Sequence, residues 1–183
     1  MSWLKRFHDE HAAVDFVLTK LEGNLKDIEH GESGANVIWE LKEFAEIIKN
    51  VIIPHFKDEE KEVYPKALKL SEDKEFIAGL YDEHNLLYDA FEGFISALGK
   101  ENLGAELQQG DKLAQIISKS RNIDKFEVPK NLDQLPEKPE KLDLDIDGLL
   151  HNGDKIIRFL GSHIHKEENQ LYEILNKKSP ENI

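Results

Sequence analysis

The sequence predicts an all-α protein: an antiparallel up-down-up-down four-helix bundle, with a short helix and an irregular strap inserted between the third and fourth helices. Apolar residues recur at alternating steps of three and four along the predicted helices, which puts one face of each into a bundle seam. Almost no stretch alternates apolar and polar residues as a half-buried strand would. Most connections are short, as antiparallel helical neighbours require. A length of 183 residues suits one domain with a sizeable core. Residues 1–183 are therefore expected to form a single domain, with an insertion over about 101–146.

The first helix carries Leu4, Phe7, His11, Val14, Leu18, Leu21, Leu25 and Ile28 on one stripe, and Gly31, Ser33 and Gly34 mark the turn after it. The second carries Val37, Leu41, Phe44, Ile48, Val51 and His55. Pro54 lies inside it, removes a backbone hydrogen bond and is expected to kink the helix just before His55. The third stripe is Ile77, Leu80, His84, Leu87, Phe91, Phe94 and Leu98, with Gly99 as its C-terminal cap. Leu103 to Ile117 is expected to form a short amphipathic helix. Residues 124–145 hold Pro129, Pro136 and Pro139 among many charges and no lasting period, which predicts the strap. The fourth helix is expected from about Asp147 to Lys177, with Ile156, Leu160, His163, Glu167 and Ile174 near one face.

Composition narrows the function classes. Asp and Glu number 37 against 24 Lys and Arg, a formal net charge of −13. So acidic a surface repels phosphate backbones and anionic lipid, which argues against nucleic acid and membrane partners. Cysteine is absent, so disulfides, iron–sulfur ligation, zinc–thiolate sites and thiol nucleophiles are excluded. Any metal must be held by nitrogen and oxygen. The opening MSWLKRFHDEH turns polar too soon for a signal peptide, and no apolar run approaches a membrane span. A cytoplasmic location is the expectation.

The two halves of the chain repeat each other. Asp9-Glu10-His11 matches Asp82-Glu83-His84, and Leu18, Leu21 and Leu25 then match Phe91, Phe94 and Leu98. His55, Glu59, Glu60 and Tyr64 match His163, Glu167, Glu168 and Tyr172 at identical spacing. The chain therefore reads as two copies of a helix pair, the second carrying the insertion.

Three of the four repeated His fall in the apolar stripes and His163 falls close to one. A buried imidazole needs partners for its ring nitrogens, or it costs free energy. One such His usually finds a backbone carbonyl; four, one per helix and related by a repeat, call for another explanation. Glu59 lies four residues after His55, and Glu167 four after His163, so each Glu shares a face with its His. Two inward carboxylates without a cation would suffer mutual repulsion and desolvation. A pair of divalent ions removes both costs: two imidazoles for each ion, both carboxylates bridging, and at least one open position. Imidazole and carboxylate without thiolate suit iron or manganese, and zinc also fits.

The pattern of DEH, HFKDEEKEVYP, DEH and HIHKEENQLYE resembles the hemerythrin-like, or HHE cation-binding, proteins, over roughly residues 3–98 and 147–177. The resemblance implies two non-haem iron ions inside an up-down-up-down bundle, with His11, His55, Glu59, His84, His163 and Glu167 as ligands. Oxygen-carrying hemerythrins have a fifth His, four residues after the His on the third helix; Tyr88 stands there in this chain. They also place the last carboxylate five after its His, which would select Glu168, whereas the internal repeat favours Glu167. In its ligand set the chain is more similar to the hemerythrin-like domains of bacterial iron–sulfur repair proteins, without the cysteine-bearing segment of those proteins.

His8 reads as a rim residue, His165 as pointing away from the face of His163, and His30 and His151 as loop or helix-start residues. Tyr64 and Tyr172 read as packing residues or as hydrogen-bond partners of ligands. Tyr88, one turn after His84, is a candidate to line the open face of the metals. The leading functional expectation is a di-iron protein that binds or reacts with dioxygen, nitric oxide or peroxide, in sensing, scavenging or iron handling. A ferritin-like di-metal oxidoreductase is the second; its Glu-x-x-His pattern is missing here. A structural bundle with a zinc-filled or empty site is the third.

Overall fold

The computed structural model describes residues 2–32, 34–99 and 144–177. They are helical, without a strand, and form four long helices. The first is α1, Ser2–Glu29. The second comprises α2 (Ala35–Ile47), α3 (Ile53–Asp58) and α4 (Tyr64–Leu70), joined without a break by π-helical turns at Ile48–Ile52 and Glu59–Val63. The third is α5, Lys74–Ala97. The fourth comprises α6 (Ile146–Lys166) and α7 (Tyr172–Lys177), joined by a π turn at Glu167–Leu171. The expected short helix Leu103–Ile117 and all but the end of the expected strap lie outside the described residues.

Residue pairings fix the topology. Arg6 meets Asp58 and Asn24 meets Glu40, so the first and second helices run antiparallel. Tyr64 packs on Tyr81 and Phe44 on Phe94, which does the same for the second and third. His84 faces His163, while Asp145 N–H donates to Ala97 C=O at 3.0 Å, for the third and fourth. His11 meets Glu167, and Leu25 lies against Gly153, where any Cβ would meet Leu25 Cδ1 at 2.5 Å. The helices therefore run up-down-up-down around a square.

Local chemistry sets the helix ends. Gly31, at φ 83°, closes α1 with Gly31 N–H to Ile28 C=O and Glu32 N–H to Asp27 C=O, a Schellman pair that needs the left-handed residue. Gly99, at φ 85°, follows the third helix as expected. Asp73 and Asp145 cap the third and fourth helices through the N–H groups of Phe76 and Gly148, each at 2.9 Å.

The stripes of the first and third helices are buried from Phe7 to Ile28 and from Ile77 to Leu98. Each large aliphatic or aromatic side chain removed from water there contributes about 1.5–3 kcal/mol. The second and fourth stripes depart from expectation by one residue. Ile52 and Leu175 are buried, while Val51 and Ile174 are only partly so. The cause at these two positions is the π turn, which inserts a residue into the helical repeat and rotates later side chains about the axis; Val37, ahead of any π turn, also yields its buried place to Ile38. At Pro54 the expected distortion takes this form: the turn Ile48–Ile52 widens the helix just before the proline, with no break in the rod.

Candidate metal centre

The bundle has two apolar clusters. One is built around Leu21, Phe44, Ile48, Leu87, Phe94 and Leu160. The other is built around Phe7, Val63, Tyr64, Ile77, Leu80 and Leu171. The sequence places His11, His55, Glu59, His84, His163 and Glu167 between them. Among the described residues, the buried polar side chains are these six and Asn24.

The six fall into two overlapping groups: His11, His55, Glu59 and Glu167, and Glu59, His84, His163 and Glu167. Within each, one donor atom per residue lies within 4.8 Å of the others. The Nε2 atoms of His11 and His55 face each other at 3.0 Å, as do those of His84 and His163. Two nitrogens held about 2.1 Å from one ion at a right angle stand about 3.0 Å apart. Each carboxylate spans both pairs. Glu59 Oε1 is 3.0 Å from His55 Nε2, and its Oε2 is 3.6 Å from His84 Nε2. Glu167 Oε2 is 3.2 Å from His11 Nε2, and its Oε1 is 3.4 Å from His163 Nε2. Both oxygens of Glu59 and Oε2 of Glu167 are buried without any hydrogen-bond partner. Desolvated carboxylate oxygens in that condition are costly unless a cation meets them. The donor set fits a pair of metal ions.

Around this core runs a ring of four hydrogen bonds. His55 Nδ1–H donates to Glu10 at 2.7 Å and His84 Nδ1–H to Glu60 at 2.8 Å. His163 Nδ1–H donates to Glu83 at 2.9 Å and His11 Nδ1–H to Glu168 at 2.7 Å. Each helix thus offers a carboxylate to the His of the next, and the fourth closes on the first. The bonds fix the tautomer and turn every Nε2 lone pair inward. Further side chains back the ring: Arg6 beside Glu10 at 3.6 Å, Lys166 on Glu83, His8 on Glu168 at 2.8 Å and Tyr88 O–H on Glu60 at 3.3 Å.

Electrostatics without ions show what the site demands. Burial opposes a charged His11, but Glu167, Glu168 and Glu59 outweigh it and push the imidazole up to about 11. His55 and His163 are likewise buried yet raised to about 9, by Glu10 and Glu59 and by Glu167 and Glu83. Burial, then the charge of His163, lowers His84 to about 3. Burial would raise Glu167, but His163 and His11 hold it well below the usual carboxylate range. Protons are drawn in where cations would sit.

Tyr88 donates to Glu60, one bond removed from the centre, and does not line it. His8 is exposed on Glu168, and His165 is exposed beside Asn169, as expected. Tyr64 is fully buried and donates to Glu167 Oε1 at 2.7 Å. Burial and the neighbouring Glu167 carboxylate hold its phenol protonated in that setting. Tyr172, its repeat counterpart, stacks on His11 with its hydroxyl 3.4 Å from the outer Nδ1. Tyr64 thus both packs and hydrogen-bonds, the two roles read for it from the sequence, whereas spacing alone assigns no role to the ring carboxylates, although the repeated DEH and Glu-Glu pairs contain all four.

The chain matches the family described as Hemerythrin HHE cation binding domain over residues 3–175. No curated protein and no solved structure gives a significant match. Among the described residues, no helix is long and apolar enough to cross a membrane.

Proposed function

The chain belongs to the hemerythrin HHE cation-binding domain family, and from that premise we propose that it holds two non-haem iron ions and binds or reacts with dioxygen, nitric oxide or peroxide. His11 and His55 serve one ion, His84 and His163 the other, and Glu59 and Glu167 bridge them. One observation carries this reading: buried carboxylates span two imidazole pairs, and three of their four oxygens have no hydrogen-bond partner. Iron in such a nitrogen–oxygen set supplies reversible one-electron chemistry and open positions for a small molecule.

The chain's own residues define the rest. The carboxylate ring orients the four imidazoles. Phe56 stacks on His84 at 3.8 Å between ring centroids, and Phe7 lies 4.9 Å from His55, so apolar rings exclude water from the sides. The most exposed of the six residues, His55, is 8 % accessible, which favours a reactant of two or three atoms. The absence of thiolate and the Nδ1–carboxylate bonds both favour iron or manganese over a soft-ligand site.

The test is metal analysis of protein purified without added metal, with optical spectra of the iron-loaded form before and after exposure to dioxygen or nitric oxide. Iron with a spectrum that responds supports the reading. Zinc, or no retained metal and no spectral response after iron loading, contradicts it.

A further inference from the structure

The two halves of the centre, so alike in sequence, differ at one atom. Tyr64 Oη lies 3.0 Å from His84 Nε2, 3.4 Å from His163 Nε2 and 2.7 Å from Glu167 Oε1. It sits among the inward donors of that half, at the separations expected of adjacent ligands on one ion. The repeat predicts the same for Tyr172, yet its hydroxyl stands on the outer side of His11, against Nδ1. Exposure differs in the same sense. His84 and His163 are 0 % accessible, while His11 and His55 are 3 % and 8 %.

Resting on the di-iron reading above, we propose that Tyr64 supplies its phenolic oxygen to the ion of the His84–His163 pair, closing that position and leaving the His11–His55 position for the external molecule. On binding, the O–H bond breaks and the proton now given to Glu167 leaves to solvent; the oxygen's electron pair goes to the ion, and no electron is transferred. The ion inverts the preference for the neutral phenol, as cations do for any ligating acid. The centre is therefore asymmetric. One ion is saturated by residues and buried among Phe56, Tyr64 and Tyr81. The other is nearer solvent and lacks a fifth residue donor.

The experiment uses the full chain loaded with ferrous iron and oxidised in air. Resonance Raman spectroscopy in the visible region should show tyrosinate ring modes on a phenolate-to-iron charge-transfer band. Azide titration of the oxidised protein should saturate at one azide per chain. Tyr64→Phe should keep two irons, lose the band and bind a second azide, whereas Tyr172→Phe should keep the band. A wild-type protein holding two irons without tyrosinate modes overturns the proposal while leaving the di-iron reading intact; this measurement needs no variant to fold. Loss of the band in Tyr172→Phe in place of Tyr64→Phe also overturns it. A chain that takes up no iron overturns both.

Discussion

Glu83 on the third helix accepts the Nδ1 proton of His163 on the fourth at 2.9 Å, and Lys166 holds the same carboxylate from behind. The bond is one quarter of a ring that passes through all four helices. Replacing one member with an amide keeps the shape but weakens the acceptor, so the imidazole loses basicity and orientation. Glu83→Gln should lower metal affinity about 10–100-fold while the chain still folds and saturates with the same number of ions. Competition against a chelator of known affinity measures this. Unchanged affinity would mean that the ring is packing without consequence for the metals.

Neighbouring acids on the fourth helix have separate roles. Glu167 is fully buried with Oε2 unpartnered, whereas Glu168 is partly exposed and binds His11 and His8 from outside. Glu167→Ala should abolish stable loading of two ions. Glu168→Ala should keep two ions at saturating metal, with affinity reduced about 10–100-fold. The reverse order, read as metal per chain after gel filtration, would place the carboxylate one residue later and correct the assignment.

Much of this was legible in the sequence because the first and third helices obey a regular α-helical period. Phe7 through Ile28 and Ile77 through Leu98 sit where steps of three and four place them. The second and fourth helices do not keep that period. A π turn starts at Glu59 and another at Glu167. In an α-helix the fifth residue lies about 140° off the face of the first, but a turn closed from i to i+5 brings it back. Tyr64 thereby returns over Glu59, and Leu175 replaces Ile174 in the core. Periodicity could not anticipate either shift. The ring carboxylates were half legible: the repeat displayed Glu10, Glu60, Glu83 and Glu168, but pairing each with a His requires knowing which helices are neighbours.

Removing the metals should leave a weaker protein with a characteristic pH profile. At a hundredfold excess over Kd one bound ligand adds about 2.7 kcal/mol, so chelation should lower Tm by roughly 5–10 °C for a chain of this size. In the metal-free form, His11 and His163 are raised to about 11 and about 9. Their contribution is complete below the unfolded value of about 6.5 and is lost as pH rises through 9 and then 11. His84, lowered to about 3, acts oppositely: its contribution is present above about 6.5 and lost as pH falls toward 3. Glu167, lowered as well, adds stability above its unfolded value that acid removes. Metal-free Tm should therefore decline from about pH 6.5 to pH 9.5 and also fall steeply in acid. A chelated protein as heat-stable as the loaded one, or a Tm that rises over the alkaline range, would contradict this.

The centre is not expected to act as a reversible oxygen carrier. Four neutral imidazoles are shared between two ions, with Tyr88 committed to Glu60 and unable to serve as a fifth donor. Anionic oxygens from Glu59 and Glu167 then dominate, which favours the ferric state. After the reduced, iron-loaded protein meets air, deoxygenation should not restore its starting spectrum. Many cycles of aeration and deaeration with full spectral recovery would refute that.

The most direct measurement is the number of iron ions per chain after anaerobic loading with ferrous iron and removal of the excess. The geometry of two imidazole pairs joined by two carboxylates predicts two ions in the wild-type protein and a loss of loading in both His55→Ala and His163→Ala. A wild-type chain that holds a single ion, or variants that hold as much as the wild type, would contradict the account.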